Sequence, residues 1–135
     1  LPRPLRLAPP VWVSPRRALE DVEVAGTSIP KGAHVIISQY ASHRNPEFFP
    51  DPYEFRPERW LDDLESRLPR GAYFPFLAGT RKCLGDQFAL LEAHIILMEM
   101  ARSKRPRPVS ASLPAPEPRA TFRPKGGVPS VIVGT

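Results

Sequence analysis

The longest regular pattern in the chain is DQFALLEAHIILMEMAR, residues Asp86 to Arg102. Its apolar residues cover most of a helical circumference, and Glu92 and Glu99 mark the one polar stripe. The stretch lacks Gly and Pro, is rich in good helix formers, and carries Asp86 in its first turn and Arg102 in its last. These features predict a helix over 86–102. A helix apolar on so many sides needs several neighbours, and the chain offers few other long elements. Exposed hydrophobic surface is therefore expected along it.

Elsewhere the apolar runs are short. Leu5 to Leu7 can finish a helix that Pro9 and Pro10 then stop, although the preceding LPRP is a poor helix former. Val11–Val13 is a strand candidate followed by the basic turn SPRR. VEV and TSIPKGAHVIISQY predict strand, turn at Pro30–Lys31–Gly32, and strand again. ASHRNPEFFPDPYEFRPERWL interleaves prolines with aromatics, which predicts a compact ordered loop rather than disorder. Leu61 to Gly71 is a polar connector, SKRPRPVSASLPAPEPRA a proline-rich basic one, and TFRPKGGVPSVIVGT predicts a terminal hairpin turning at Gly126–Gly127. There are no internal repeats.

Composition adds irregularity and charge to this picture. Proline accounts for 19 of 135 residues, against a usual share of about 5%, so much of the backbone must meander. The length suits one small domain with a modest core. A net charge of +5 would suit a nucleic acid, an acidic protein or an anionic ligand. The basic residues are scattered and no nucleic-acid motif is present, so no nucleic-acid partner is expected. No apolar run reaches membrane-spanning length, and no signal-peptide pattern opens the chain. It begins at Leu1 rather than methionine, which reads as a piece of something longer. Its localisation is left open, with cytoplasm the expectation if the parent is a soluble bacterial-type enzyme.

The single cysteine, Cys83, sits in FPFLAGTRKCLG. One cysteine excludes an internal disulfide and any multi-cysteine metal site. Most lone cysteines are small buried hydrophobes, but this one precedes a helix N-terminus and follows Arg81 and Lys82. Both circumstances favour a thiolate, which serves as a nucleophile or a metal ligand. Gly79 and Gly85 bracket it, suiting a tight turn against something flat or bulky. A nucleophile needs an oriented histidine base. His94 lies about 15 Å further along the helix, and His34 and His43 read as residues making local hydrogen bonds. Zinc would want four protein ligands, whereas haem needs only one axial ligand from the chain, and a thiolate there favours O–O cleavage.

Phe76, Gly79, Arg81, Cys83 and Gly85 fill every fixed position of F-x-x-G-x-R-x-C-x-G, and this stretch resembles the haem-binding signature of the cytochrome P450 family. The resemblance extends over nearly the whole chain. LRLAPPVWVSPRRA looks like the family's passage from an Arg-bearing helix end into its central sheet. IPKGAHVIISQYASHRNPEFFPDPYEFRPERW resembles its strand pair and meander, and TFRPKGGVPSVIV its C-terminal hairpin region.

The implied fold is α+β, the C-terminal part of the mainly-α P450 fold. Its parts would be a helix end, short strands, the meander, the Cys-ligand loop, a long buried helix and a terminal β-hairpin. Residues 1–135 would then be one partial domain. Strands and meander fall in 1–60, connector and Cys loop in 61–85, the long helix in 86–102, and a connector with the hairpin in 103–135.

The resemblance also implies roles. Cys83 would be the proximal thiolate ligand to haem iron, and Phe76 would pack beside the sulfur. Gly79 and Gly85 would let the loop lie close to haem. Arg81 would pair with a propionate, as would Arg16, with Arg17 as its fallback. The parent reaction would be O₂-dependent oxygenation of a small organic substrate. A ferredoxin or reductase would supply electrons at the proximal face, near Arg70, Arg81 and Lys82.

One position departs from the family pattern. Where the family has Glu three residues before the helix arginine, this chain has Arg3, while Arg6 and Arg59 match its two arginines. Three arginines gathered without their carboxylate would be costly. Either Arg3 faces solvent, or the first residues come from a misread boundary of a truncated gene. The family's oxygen-activating and substrate-binding helices are also absent from these residues. The competing expectation is therefore an inactive P450-like fragment with weak or no haem binding.

Overall fold

The structure, a computed structural model, describes residues 2–112 and 114–134. It opens on helix α1 (Pro2–Leu7). Both of its prolines fall in the first turn, where N–H groups have no intrahelical acceptor in any case. A segment expected to be non-helical before Leu5 is therefore helical from Pro2. The side chain of Arg3 lies outside the described part of the structure.

Among the described residues the strands form four antiparallel two-stranded ribbons. β1 (Ser14–Arg17) pairs with β4 (His34–Ile37), and β2 (Val22–Val24) with β3 (Thr27–Ile29). β5 (Lys104–Pro108) pairs with β8 (Ser130–Gly134), enclosing the ribbon of β6 (Pro116–Pro118) and β7 (Phe122–Pro124).

The strand expected at Val11–Val13 lies instead in the SPRR segment read as a turn. In a two-stranded ribbon Pro15 can direct its missing donor outward. The Trp12 carbonyl meanwhile accepts from Tyr40 N–H at 3.2 Å and Ser38 Oγ at 3.3 Å, at the start of α2 (Gln39–Ser42). The tight hairpin turn is Ala25–Gly26, with φ of 50° and 77°, the left-handed pair that a two-residue loop requires. The turn at Pro30–Lys31–Gly32 exists, closed by Ala33 N–H to the Pro30 carbonyl at 3.1 Å. It joins β3 to β4, which belong to different ribbons.

Gly126–Gly127 likewise turns the chain between β7 and β8, which pair elsewhere, and the connector expected over 103–120 supplies β5 and β6. The segment read as a polar connector contains the short helix α3 (Leu64–Arg67).

The core is small and largely polar. Among the described residues its buried hydrophobic members are Phe49 and Ala72, beside buried Arg6, Ser14, Gln39, His43 and Asp86. Arg6, 1% exposed, donates from Nη1 to the carbonyls of His43 (2.9 Å) and Pro52 (2.6 Å), and from Nη2 to that of Glu54 (2.8 Å). Its guanidinium lies 5.2 Å from the centre of the Phe49 ring. Arg59 donates to the Pro50 and Asp51 carbonyls at 2.6 and 3.2 Å, and Arg44 to those of Leu7 and Tyr40.

A proline-rich loop keeps its carbonyl acceptors while losing N–H donors. The arginines supply the donors the loop lacks. The expected clustering of Arg6 with Arg59 is thus present, with carbonyl oxygens around it. Its cost persists: burial first, then Arg59 and Arg44, lower the Arg6 pKa to about 10.

Helix α4 (Asp86–Ser103) forms where the sequence predicts it, but it is not the buried helix that the resemblance implies. Asp86 is buried and Leu90 and Ala93 are half-buried, at i, i+4 and i+7 on one side. Its other apolar sides are open, with Phe88 71% and Ile95 53% exposed, because no other described element lies along them. The C-terminal segment returns to the start of the chain. Phe122 N–H donates to the Pro10 carbonyl at 2.8 Å, and Trp12 Nε1 to that of Arg119 at 2.8 Å. The Tyr40 and Phe122 rings stand 5.3 Å apart.

Candidate functional site

The Cys83 loop is built by its own backbone. Leu77 N–H bonds the Phe74 carbonyl at 3.0 Å, and the turn Gly79–Arg81 brings Lys82 N–H to the Gly79 carbonyl at 3.1 Å. Cys83 N–H then closes the loop on the Phe76 carbonyl at 2.9 Å. Gly79 has φ +68° and Leu77 φ +64°. The first is natural for glycine. The second is a strained conformation for a bulky residue, of the kind that persists only where surroundings impose it. The Gly85 carbonyl accepts from Ala89 N–H at 2.9 Å and starts α4 directly behind the thiol.

Cys83 is exposed as a free thiol. A Cβ on Gly79 would meet nothing within 4 Å, and one on Gly85 would meet only Cys83 Sγ, at 4.0 Å. The sulfur thus stands on open surface beside small residues, with the α4 N-terminus below it. Among the described residues no cluster of three His, Cys, Asp or Glu side chains could hold a metal ion. One accessible sulfur with room for a broad, flat partner fits a planar macrocycle that brings its own equatorial ligands.

The basic residues divide unequally. Lys82 Nζ is bound to Asp86 Oδ2 at 2.6 Å. That contact, with hydrogen bonds from Gln87, holds the Asp86 carboxyl below its ordinary range. The Lys82 charge expected to act on Cys83 is therefore shared with a carboxylate. Arg81 is exposed, and among the described residues it has no ion-pair partner. Arg16 donates to Ser14 Oγ and the Pro15 carbonyl, both at 2.9 Å. It borders a cavity of about 340 Å³ with Ile37, Phe74, Leu77 and Ala78. Phe76 lines a second cavity of about 390 Å³ with Tyr73, Lys82, Asp86 and Leu90. The structure therefore places Phe76, Gly79, Arg81, Cys83 and Gly85 on one loop, with Arg16 on its other flank.

His43 is the residue that sequence reasoning passed over. The local bonding expected of it is real only for its backbone. Its Nε2 accepts from Phe74 N–H at 3.0 Å, 31 residues away. Nothing in the short pattern SHRNP signals that reach. His94 Nδ1 lies 2.8 Å from the carbonyl of Leu90 on its own helix, and His34 is exposed on β4.

A family model described as Cytochrome P450 matches residues 4–120. This chain belongs to the cytochrome P450 family. It is 46% identical over 105 residues to cyclooctat-9-en-7-ol 5-monooxygenase of Streptomyces melanosporofaciens, covering 78% of this chain and 23% of that protein. It is 47% identical over 94 residues to human cytochrome P450 4V2, covering 69% and 18%. The P450 chain thus spans about a quarter of the length of the Streptomyces relative.

Among solved structures, retinoic acid bound cyanobacterial CYP120A1 matches with a TM-score of 0.91 at 29% identity, over 99% of this chain and 32% of the other. CYP175A1 from Thermus thermophilus matches with a TM-score of 0.81 at 39% identity, over 97% and 32%. The mixed helices and ribbons described above are therefore part of a P450 fold, and haem is the cofactor of the P450 family. Among the described residues no helix is long and apolar enough to cross a membrane.

Proposed function

We propose that residues 1–135 form the thiolate-bearing part of the haem site of a P450 monooxygenase, in which Cys83 would be the thiolate ligand that holds the haem iron. The observation that carries this reading is the open Cys83 thiol, held by the Phe76–Cys83 backbone bond at the start of α4. When bound, haem supplies the redox and oxygen chemistry, and a thiolate ligand tunes it toward O–O cleavage. The residues of this chain bind and orient. The α4 N-terminus stabilises negative charge on the sulfur, and Phe76 shields one side of the loop. Gly79 and Gly85 keep the approach clear. Arg81 is free to reach a propionate, and Arg16 would do so by exchanging its contacts to Ser14 and Pro15.

The activity of the whole protein is read as O₂-dependent oxygenation of a small organic substrate. An acidic electron donor would dock on the face carrying exposed Arg70 and Arg81. Lys82 contributes less there, since Asp86 neutralises it. A second reading is a catalytically inactive P450-like fragment with weak or no haem binding, favoured by the open apolar sides of α4.

Haem titration of the chain, followed by reduction and CO, separates the two. A strongly red-shifted Soret band that disappears in Cys83→Ala supports the ligand assignment. Its persistence in Cys83→Ala overturns that assignment, and the absence of any such band in the native chain favours the second reading.

A further inference from the structure

His43 is 0% exposed and anchored on three sides. Its N–H donates to the Gln39 carbonyl at 2.9 Å, capping α2, and its carbonyl accepts Arg6 Nη1 at 2.9 Å. Its ring lies 4.9 Å from that of Tyr73 and 5.4 Å from that of Phe74, the latter edge-on. A ring so fixed has one direction for its Nε2 lone pair, and Phe74 N–H occupies it at 3.0 Å. Accepting at Nε2 leaves the ring proton on Nδ1, so the neutral imidazole is the form that makes this bond.

Phe74 begins the Cys83 loop. Its carbonyl takes Leu77 N–H at 3.0 Å, and two residues on the Phe76 carbonyl takes Cys83 N–H at 2.9 Å. The strained Leu77, at φ +64°, lies between these two bonds. A backbone in that region relaxes unless both ends are held. The Cys83 bond and the turn at Gly79–Arg81 hold one end. The other end is held from outside the loop by the His43 ring.

We propose that His43 is a positioning residue for the thiolate loop, fixing Phe74 and so the place of Phe76 and Cys83. It acts through the backbone and does not touch the sulfur. Its bearing on haem ligation rests on the assignment of Cys83 above, whereas its bearing on loop geometry does not.

The test uses the full chain and four forms: native, His43→Phe, His43→Gln and His43→Asn. Phe keeps the ring shape and removes the acceptor. Gln carries an acceptor to about the reach of Nε2, and Asn stops short of it. Amide hydrogen exchange read residue by residue should be faster by about tenfold at Phe74, Leu77 and Cys83 in His43→Phe. Exchange in the β2–β3 hairpin should be unchanged, and protection should return in His43→Gln but not in His43→Asn.

Equal Phe74 exchange in native and His43→Phe overturns the proposal. If His43→Phe fails to fold, the amide pair decides. Gln and Asn behaving alike, both protected or both unprotected, also overturns it. With haem and CO added, the thiolate-ligated share of the spectrum should fall in His43→Phe and recover in His43→Gln. A native chain without any thiolate signature, whose exchange nonetheless follows the pattern above, would remove the Cys83 assignment and leave the positioning role standing.

Discussion

The loop from Gln39 to Leu77 and the helix α4 invert the usual relation between composition and burial. The loop is crowded with prolines and charges, yet it holds Gln39, His43, Phe49 and Ala72 in the interior and closes over Arg6. The helix is the most continuously apolar stretch of the chain, yet Phe88, Leu91, Ile95, Ile96 and Met98 face outward. Hydrophobicity states what a segment would gain by being covered, not whether anything covers it. The loop is covered because arginine donors and proline-segment acceptors complete one another within short reach. Among the described residues, those of α4 that are covered lie along its Asp86–Leu90–Ala93 side.

The sharpest way to break this contrast is to remove a side chain from each region. Phe49→Ala should cost about 3–5 kcal/mol in denaturant unfolding, because the ring is fully buried under Arg6. A change below about 1 kcal/mol would show that the loop is not a packed core.

Acid should act next, and between pH 6.5 and 4 chiefly on the loop, with the Lys82–Asp86 pair yielding only at lower pH. Burial first, then Arg6, lower the His43 pKa from 6.5 to about 4, with Arg44 adding and the Leu5 and Arg6 carbonyls opposing. Tyr73, the other titratable group on the ring, is pushed up by burial and stays neutral. Between those two pH values the unfolded chain binds more protons than the folded one. Stability is therefore full above pH 6.5 and falls by up to roughly 3 kcal/mol as pH drops toward 4. Unfolding midpoints measured from pH 7.5 to 4 should show this slope, and His43→Gln should flatten it.

A smaller effect is expected from restoring a carboxylate. Position 3 precedes Arg6 by three residues on α1, the spacing of neighbours on one helix face. Arg3→Glu should raise stability by about 1 kcal/mol if its carboxylate reaches the buried guanidinium. An unchanged or lowered midpoint would mean that the carbonyl oxygens already suffice. The smallest effect belongs to the helix. Ile95→Ser should shift the unfolding midpoint by no more than about 0.5 kcal/mol while reducing self-association in sedimentation. A large loss of stability would mean that the face is covered in solution.

What the sequence disclosed follows the range of the interactions involved. The helix over 86–102, the Cys83 loop and the family resemblance are written in contiguous residues. Each rests on periodicity or on fixed spacing within a turn or two. The ribbons were misplaced because β1 pairs with β4 and β5 with β8 across intervening turns. The local signals at Gly32 and Gly126–Gly127 mark turns without saying which strands meet. His43 was passed over for the same reason, since its partner Phe74 is far away in sequence and is a backbone group, which leaves no residue-type signature. Lys82 was read as part of a positive field around the thiol because its ion pair with Asp86, four residues on, also looked like an ordinary helix start.

The return of the C-terminal segment to Trp12 has a kinetic and a practical consequence. The indole bond to the Arg119 carbonyl spans 107 residues, so it closes most of the chain into a ring and is expected to form late in folding. With Trp60, the other tryptophan, replaced by Phe, Trp12 emission reports that closure, and an indole that stays water-exposed after the helix signal has matured marks a chain in which Trp12 has not yet met the Arg119 segment.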